Sequence, residues 1–386
     1  PWGILVGVRP TKLVHRLIDR NFSREKIISI LTDVYGVAGS RQELLLDVVD
    51  RQRSFFMPNV NNPVSVYVGI PFCPTRCGYC SFAAYPFETH SHLVKSFLKA
   101  LHQEITALGE LLREHNIKVQ SVYLGGGTPT TITGSDLSKL LKLLNEYFDA
   151  DRCQEYMVEA GRPETLTPET LEILKAHGVQ RISINPQTMN DRTLQLIGRE
   201  HTADQVREAF ALAARYQFEH INADLILGLP GEGQADFCYS LEEIIKLGPD
   251  HITIHSLALK RASRFGQNLE QLELEQKLGE AMSNYARERL AGINMNPYYL
   301  YRQRYIFSDL ENVGYAKAEA ESIYNVQMME ERQTIIGLGG GAITKLVSPD
   351  LTVVRHANPK CPATYAQQLA EFIDPKKFQI KRHLSV

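Results

Sequence analysis

Between residues 64 and 259 two apolar periods take turns along the chain. Short runs rich in β-branched residues carry the two-residue repeat of strands. They read VSVYVGI (64–70), VQSVYLGG (119–126), EYMVEAG (155–161), VQRISINPQ (179–187), HINADLILGLP (220–230) and DHITIHSLAL (250–259). Between them, apolar residues three and four apart predict helices over roughly 91–114, 135–148, 168–177, 203–216 and 236–247, with Ser135 or Asp136 near the cap of the second. Six strands alternating with helices demand a parallel sheet with right-handed crossovers. The even repeat favours a closed or partly closed barrel, with an open doubly wound sheet as the alternative. In both, ligands gather at the carboxyl ends of the strands. GIPFCPTRCGYC, GGGTPT, EAGRPE, NPQT and DLILGLPGE stand at those ends.

The flanks have a different texture. Residues 9–51 read as two or three amphipathic helices, with Leu13, Leu17 and Ile18 on one stripe, Ile27, Ile28, Leu31 and Val34 on another, and Ser23 as an N-cap. Past a helix at about 272–290 the pattern loosens; NPYYLYRQRY and IIGLGGGAIT suggest a smaller C-terminal region that closes over one end. The predicted organisation is a helical segment over 1–62, an α/β core over 63–285 and a C-terminal region over 286–386.

Composition narrows the classes. A chain of 386 residues, 44% hydrophobic and 22% charged, with a formal net charge of -2, is ordinary for a globular protein and offers no general attraction for nucleic acid or an anionic membrane. No apolar run approaches the roughly 20 residues needed to span a bilayer. Pro1 in place of a starting Met reads as a fragment or a trimmed chain. Six cysteines in this length do not make a secreted disulfide framework and suggest a reducing, cytoplasmic setting.

Three of the six, Cys73, Cys77 and Cys80, fall within eight residues on the loop after the first strand. Cys153, Cys238 and Cys361 stand alone and read as inert buried thiols. Three thiolates on one loop can hold a zinc ion if a fourth ligand arrives, or a [4Fe–4S] cluster with one iron left open for chemistry.

YVGIPFCPTRCGYCSF followed by GGGTPT resembles the radical S-adenosylmethionine (SAM) enzymes, and among them the oxygen-independent coproporphyrinogen III oxidases, or coproporphyrinogen dehydrogenases. The similarity runs from Tyr67 to about Ile343. HSLALKRAS, ENVGYAK and PWGILVGVRPTK look closest to the longer, second-type branch of Gram-positive bacteria, which implies a further N-terminal piece. The resemblance implies an α/β fold built as a partial (β/α)6 radical SAM barrel. It also implies a cytoplasmic oxidoreductase of haem and porphyrin biosynthesis that decarboxylates two propionates of coproporphyrinogen III to give protoporphyrinogen IX, with an electron donor and an electron acceptor as partners and neither nucleic acid nor a membrane span.

By the same resemblance Cys73, Cys77 and Cys80 bind three irons, and the fourth iron chelates SAM. Gly126, Gly127 and Thr128 hold the methionyl end, Arg199 its carboxylate, Gln187 and Asp224 the ribose. Tyr67 and Glu159 line the second half of the site as catalytic candidates, Tyr79 and Ala258 flank the adenine, and Ile343 approaches the substrate side. An Asp inside the apolar run NADLILGLP is costly to bury without a partner. Four propionates ask for cations, and Lys260, Arg261, Arg264, Arg302 and Arg304 are the candidates. His251 and His255 read as locally bonded. Gly69 stands where the best-known members have His, and Phe82 where they have an extra Cys. A haem chaperone of the same superfamily, and another radical SAM reaction on a tetrapyrrole such as methyl transfer with ring opening, are the rival readings.

Overall fold

The computed structural model describes residues 1–56, 63–258, 276–304 and 306–384. The six expected strands form: β1 (Val64–Ile70), β2 (Val119–Gly126), β3 (Glu155–Glu159), β4 (Arg181–Ser183), β5 (His220–Leu227) and β6 (His251–Ser256). Helices Val94–Glu114, Gly134–Phe148, Pro168–Ala176, Ala203–Arg215 and Gln234–Leu247 lie between them. Five further strands follow: β7 (Asn296–Tyr301), β8 (Asn312–Ala316), β9 (Ile335–Gly339), β10 (Ile343–Val347) and β11 (Val353–Ala357).

Local chemistry explains the helix starts. Ser23 accepts from the Lys26 amide, as expected, and Thr167 from the Thr170 amide. Thr202 and Gln205 form a reciprocal capping box. The second predicted helix starts one residue early, at Gly134, so Thr133 stands at its N-cap and Ser135 and Asp136, expected there, lie in its first turn. β4 is much shorter than its pattern suggests. Pro186 has no amide to donate to a ladder, and Gln187 turns into the left-handed region at φ 71 and bridges Leu225 instead.

Contacts gather the chain into two compact units. One comprises Met57–Pro186, Gly198–Ile221 and Glu331–Val386. Its strands run in the order β11-β10-β9-β1-β2-β3-β4. β1 pairs in parallel with β2 and also with β9, in a register that sets Gly69 beside both Gly125 and Gly339. Helix Val94–Glu114 buries Phe97, Leu101, Ile105 and Leu108, the three-and-four spacing of its sequence.

The other unit comprises Pro1–Phe56, Gln187–Ile197 and Asn222–Glu330. Its strand order is β5-β6-β8-β7, parallel between β5 and β6 and antiparallel thereafter. Helix Gly39–Gln52 packs on β7. Buried Glu311 accepts from Trp2 Nε1 at 3.0 Å and Arg41 Nη1 at 2.7 Å, tying the amino terminus to this sheet. Tyr298, Tyr299, Ala316, Ala320 and Val326 form a core cluster.

Cys153 is buried, its thiol within 3.0 Å of the Ala150 and Glu155 carbonyl oxygens. Cys238 and Cys361 depart from expectation: both are only half-buried, one within helix Gln234–Leu247, the other capping Pro362–Gln367. Among the described residues no helix is long and apolar enough to cross a membrane.

Candidate functional site

The loop that follows β1 is stitched to the end of β2. The Gly127 amide donates to the Ile70 carbonyl at 2.7 Å and the Thr128 amide to the Phe72 carbonyl at 2.7 Å. Here glycine is needed for space. A Cβ at Gly127 would lie 2.5 Å from the Phe72 oxygen and 2.9 Å from Cys73 Sγ, and Gly126 sits at φ 110. The Thr128 hydroxyl donates to Cys73 Sγ at 3.5 Å.

Cys73 and Cys77 are buried and Cys80 half-buried, and all three thiols are free. Their environments differ. Burial pushes the Cys73 thiol up to about 11. Cys77 is as deeply buried, yet the guanidinium groups of Arg199 and Arg162 hold it below its usual value. Cys80 is raised by burial. Arg162 Nη1 donates to Cys77 Sγ at 3.3 Å, Nη2 to Thr75 Oγ1 at 2.5 Å and Nε to Glu164 at 2.8 Å. Arg199, also buried, donates to the Asn185 carbonyl and bonds Cys77, close to Tyr79. Its own charge is reinforced by Tyr79 and Cys77 against the burial that opposes it.

Glu159, at the end of β3, accepts from the Tyr123 hydroxyl at 2.5 Å and the Gly126 amide at 3.2 Å. Tyr67 stacks on Tyr123, centroids 6.0 Å apart, and burial followed by the Glu159 charge raises its phenol well above the usual range. Tyr67, Glu159 and Gly126 are therefore brought together around Tyr123. Ile343 is 41% exposed at the start of β10.

In the other unit, the Gln187 amide donates to the Asp224 carbonyl at 2.9 Å, and the Ile226 amide returns to the Gln187 carbonyl at 2.9 Å. Asp224 is the costly carboxylate of the apolar strand, and its partner is His255 Nε2 at 3.5 Å; Tyr301 bonds the other ring nitrogen at 3.1 Å. Burial opposes ionisation of Asp224, but His255, His251 and Thr253 hold its carboxyl below the ordinary value. Ala258 bridges Ile306.

The substrate cations divide. Lys260, Arg261 and Arg264 lie outside the described residues. Arg302 is buried and committed to protein partners: it donates to the Leu5 carbonyl at 2.9 Å and Asp309 at 2.6 Å and lies over the Trp2 ring. Arg304 is exposed. At the two departures from the family pattern, Phe82 is 68% exposed, and a Cβ on Gly69 would meet the Gly340 carbonyl oxygen at 2.7 Å. The turn after β9 fills the space a larger residue would take.

The donor set fits the cofactors. Three soft thiolates suit iron–sulfur ligation. Among the described residues no group of three or more His, Cys, Asp or Glu side chains is gathered tightly enough for one metal ion, whereas in a cubane each thiolate binds its own iron. Within the unit that carries the cysteines, buried Arg199 Nε has no hydrogen-bond partner among the described residues and is open to a further ligand; within the other unit, Gln187 Oε1 has none either. The sequence reading missed Arg162, Glu164 and His201. The signal was the Arg-Pro-Glu just past a strand end in EAGRPE.

A strand ending in a three-cysteine loop, stitched to a glycine-rich second strand, defines the radical SAM class, and the Radical SAM superfamily pattern matches residues 67–244. The chain is 42% identical over 382 residues, 97% of its length and 76% of the relative's, to the oxygen-independent coproporphyrinogen-III oxidase-like protein HemZ of Bacillus subtilis strain 168. It is 31% identical over 282 residues, 72% of its length and 70% of the relative's, to the heme chaperone HemW of the same organism. The solved coproporphyrinogen III oxidase HemN from Escherichia coli shares the fold, with a TM-score of 0.66 at 23% identity, covering 84% of this chain and 73% of that one. The chain belongs to the oxygen-independent coproporphyrinogen III oxidase-like family of radical SAM proteins. Its cofactors are those of the class, a [4Fe–4S] cluster and SAM.

Proposed function

We propose that the protein converts coproporphyrinogen III to protoporphyrinogen IX without oxygen, in a reducing, cytoplasmic setting. The observation that carries this reading is the 42% identity to an oxidase-like relative over 97% of the chain. Cys73, Cys77 and Cys80 hold the irons. Gly126, Gly127 and Thr128 take the methionyl end of SAM, the unpartnered Nε of Arg199 its carboxylate, and Gln187 with Asp224 its ribose hydroxyls; Tyr79 and Ala258 flank the adenine. Tyr67 and Glu159 line the reacting side, and Ile343 the tetrapyrrole side. Lys260, Arg261, Arg264 and Arg304 are the cations for the propionates. Arg302 keeps a supporting role, since both of its terminal nitrogens are taken by Leu5 and Asp309.

When bound, the cofactors supply one-electron cleavage of the sulfonium bond and a hydrogen-atom acceptor. Per propionate, the net change would be loss of one hydrogen atom, one electron and carbon dioxide, leaving a vinyl group, on the side lined by Tyr67 and Glu159.

The identity of 31% to a heme chaperone supports a second reading, haem binding and delivery on the same scaffold. Anaerobic incubation of the reconstituted full-length chain with reductant, SAM and coproporphyrinogen III separates the two. Carbon dioxide and 5'-deoxyadenosine released together support the oxidase. Neither product, together with stoichiometric binding of haem added in a parallel titration, supports the chaperone. Cys77→Ala abolishes cluster iron in either case, and Cys153→Ala does not.

A further inference from the structure

We propose that Arg162 is a positioning residue for Cys77 and that, with Glu164, it sets the charge met by the cluster on that side. The inference rests on Cys77 being a cluster ligand and is independent of which tetrapyrrole is bound.

Arg162 stands just past β3 and is 3% exposed. Its guanidinium is a rigid plane, so bonds from three different nitrogens fix its orientation. Those bonds reach Cys77 Sγ, Thr75 Oγ1 and Glu164. Thr75 in turn donates to the Gly198 carbonyl at 3.1 Å. The end of β3, the cysteine loop and the turn before helix Ala203–Arg215 are thus tied through one side chain.

The three thiols are not treated alike. Cys73 meets a neutral hydroxyl, whereas Cys77 meets two buried guanidinium groups, that of Arg199 and, at 3.3 Å, that of Arg162. A buried cation needs a counter-charge, and Glu164 supplies it from two residues away while His201 Nδ1 lies 3.3 Å from its other oxygen. An N–H donor and a positive charge beside a ligating sulfur stabilise the more negative, reduced cluster, so they raise its potential. Glu164 screens that charge and lowers it.

Two substitutions therefore act in opposite directions. Arg162→Met removes both charge and donor, and the cluster becomes harder to reduce. Glu164→Gln keeps the shape and an acceptor for Arg162 but leaves the cation unscreened, and the cluster becomes easier to reduce. Each shift is about tenfold in the ratio of reduced to oxidised cluster at fixed potential, about 59 mV for one electron. Arg162→Lys keeps the charge without the fork and falls between wild type and Arg162→Met.

The measurement is anaerobic redox titration of the reconstituted full chain by electron paramagnetic resonance, with iron content as a second readout. Opposite shifts support the proposal. Unmoved potentials at full iron content, or shifts of the same sign, overturn it. If Arg162→Met holds no cluster, Arg162→Lys and Glu164→Gln decide by the same signs. Full cluster iron in Cys77→Ala would instead overturn the ligand assignment beneath the inference.

Discussion

Glu104 and Lys376, 272 residues apart, form an ion pair at 2.7 Å with both side chains fully buried. The Glu104 carboxylate also accepts from the Gly339 amide at 2.8 Å, Asn358 Nδ2 at 2.9 Å and the Tyr365 hydroxyl at 2.6 Å. Lys376 donates in addition to the Gly337 carbonyl and to Asn358 Oδ1. The pair therefore pins the end of β9, where Gly339 lies in register with Gly69, four residues before Cys73. Buried pairs gain little over apolar residues, but breaking one strands a charge. Lys376→Met should destabilise the fold by about 3–5 kcal/mol in urea unfolding. A loss below about 1 kcal/mol would show that the carboxylate is content without its cation.

The glycines after β2 give a second expectation. Gly127→Ala forces a methyl against the Phe72 carbonyl and Cys73 Sγ. Reconstituted iron should fall to less than about half of wild type, since a loop displaced by even a few tenths of an ångström misaligns its ligand. Gly39→Ala, with nothing within 4 Å of the added carbon, serves as the control. Equal iron content in both variants would show that the loop yields freely.

Asp224 is held ionised inside an apolar strand. A carboxylate accepts two hydroxyl bonds, and an amide cannot reproduce both. Asp224→Asn should weaken SAM binding about ten- to a hundredfold, the equivalent of about 1.5–3 kcal/mol, with cluster iron unchanged. Calorimetric titration under anaerobic conditions reads the affinity. An unaltered dissociation constant would remove Asp224 from the SAM site.

Glu164 predicts a pH dependence. Burial opposes its charged form, but His201 and Arg162 bring its carboxyl from 4.5 down to about 2. A carboxyl depressed in the folded state stabilises above its unfolded value, and that contribution fades as pH falls through the folded value. The full effect is about 3 kcal/mol at neutral pH. Unfolding of the cluster-free chain should thus show Glu164→Gln weaker than wild type at pH 7, with the gap closing between about pH 4.5 and pH 2. A gap that stays constant across that range would assign the loss to packing.

Much of the fold was legible because it is written in local periods. VSVYVGI and VQSVYLGG form strands over their whole predicted lengths, since β-branched residues alternating on a half-buried surface have few other good conformations. VQRISINPQ misled because the same apolar run continues past the point where Pro186 and a left-handed Gln187 end the ladder. The three-cysteine loop was equally plain, because metal ligands that share one loop leave their spacing in the sequence.

What the sequence by itself determined is the order of strands and helices, the class of chemistry on the loop after β1 and the positions where a carboxylate or a glycine needed a reason. Tertiary structure alone decided the rest. It paired β9 in parallel with β1, although Tyr67 and its register partner Gly337 are 270 residues apart, and no local period encodes a partner that distant. It also turned Arg162 and Glu164, which read as an ordinary turn after a strand, onto Cys77 and His201. The physical reason is the same in both cases. Periodicity reports which face of an element is apolar, whereas pairing and charge placement are settled only when elements distant in sequence are packed and every buried polar group must find its partner.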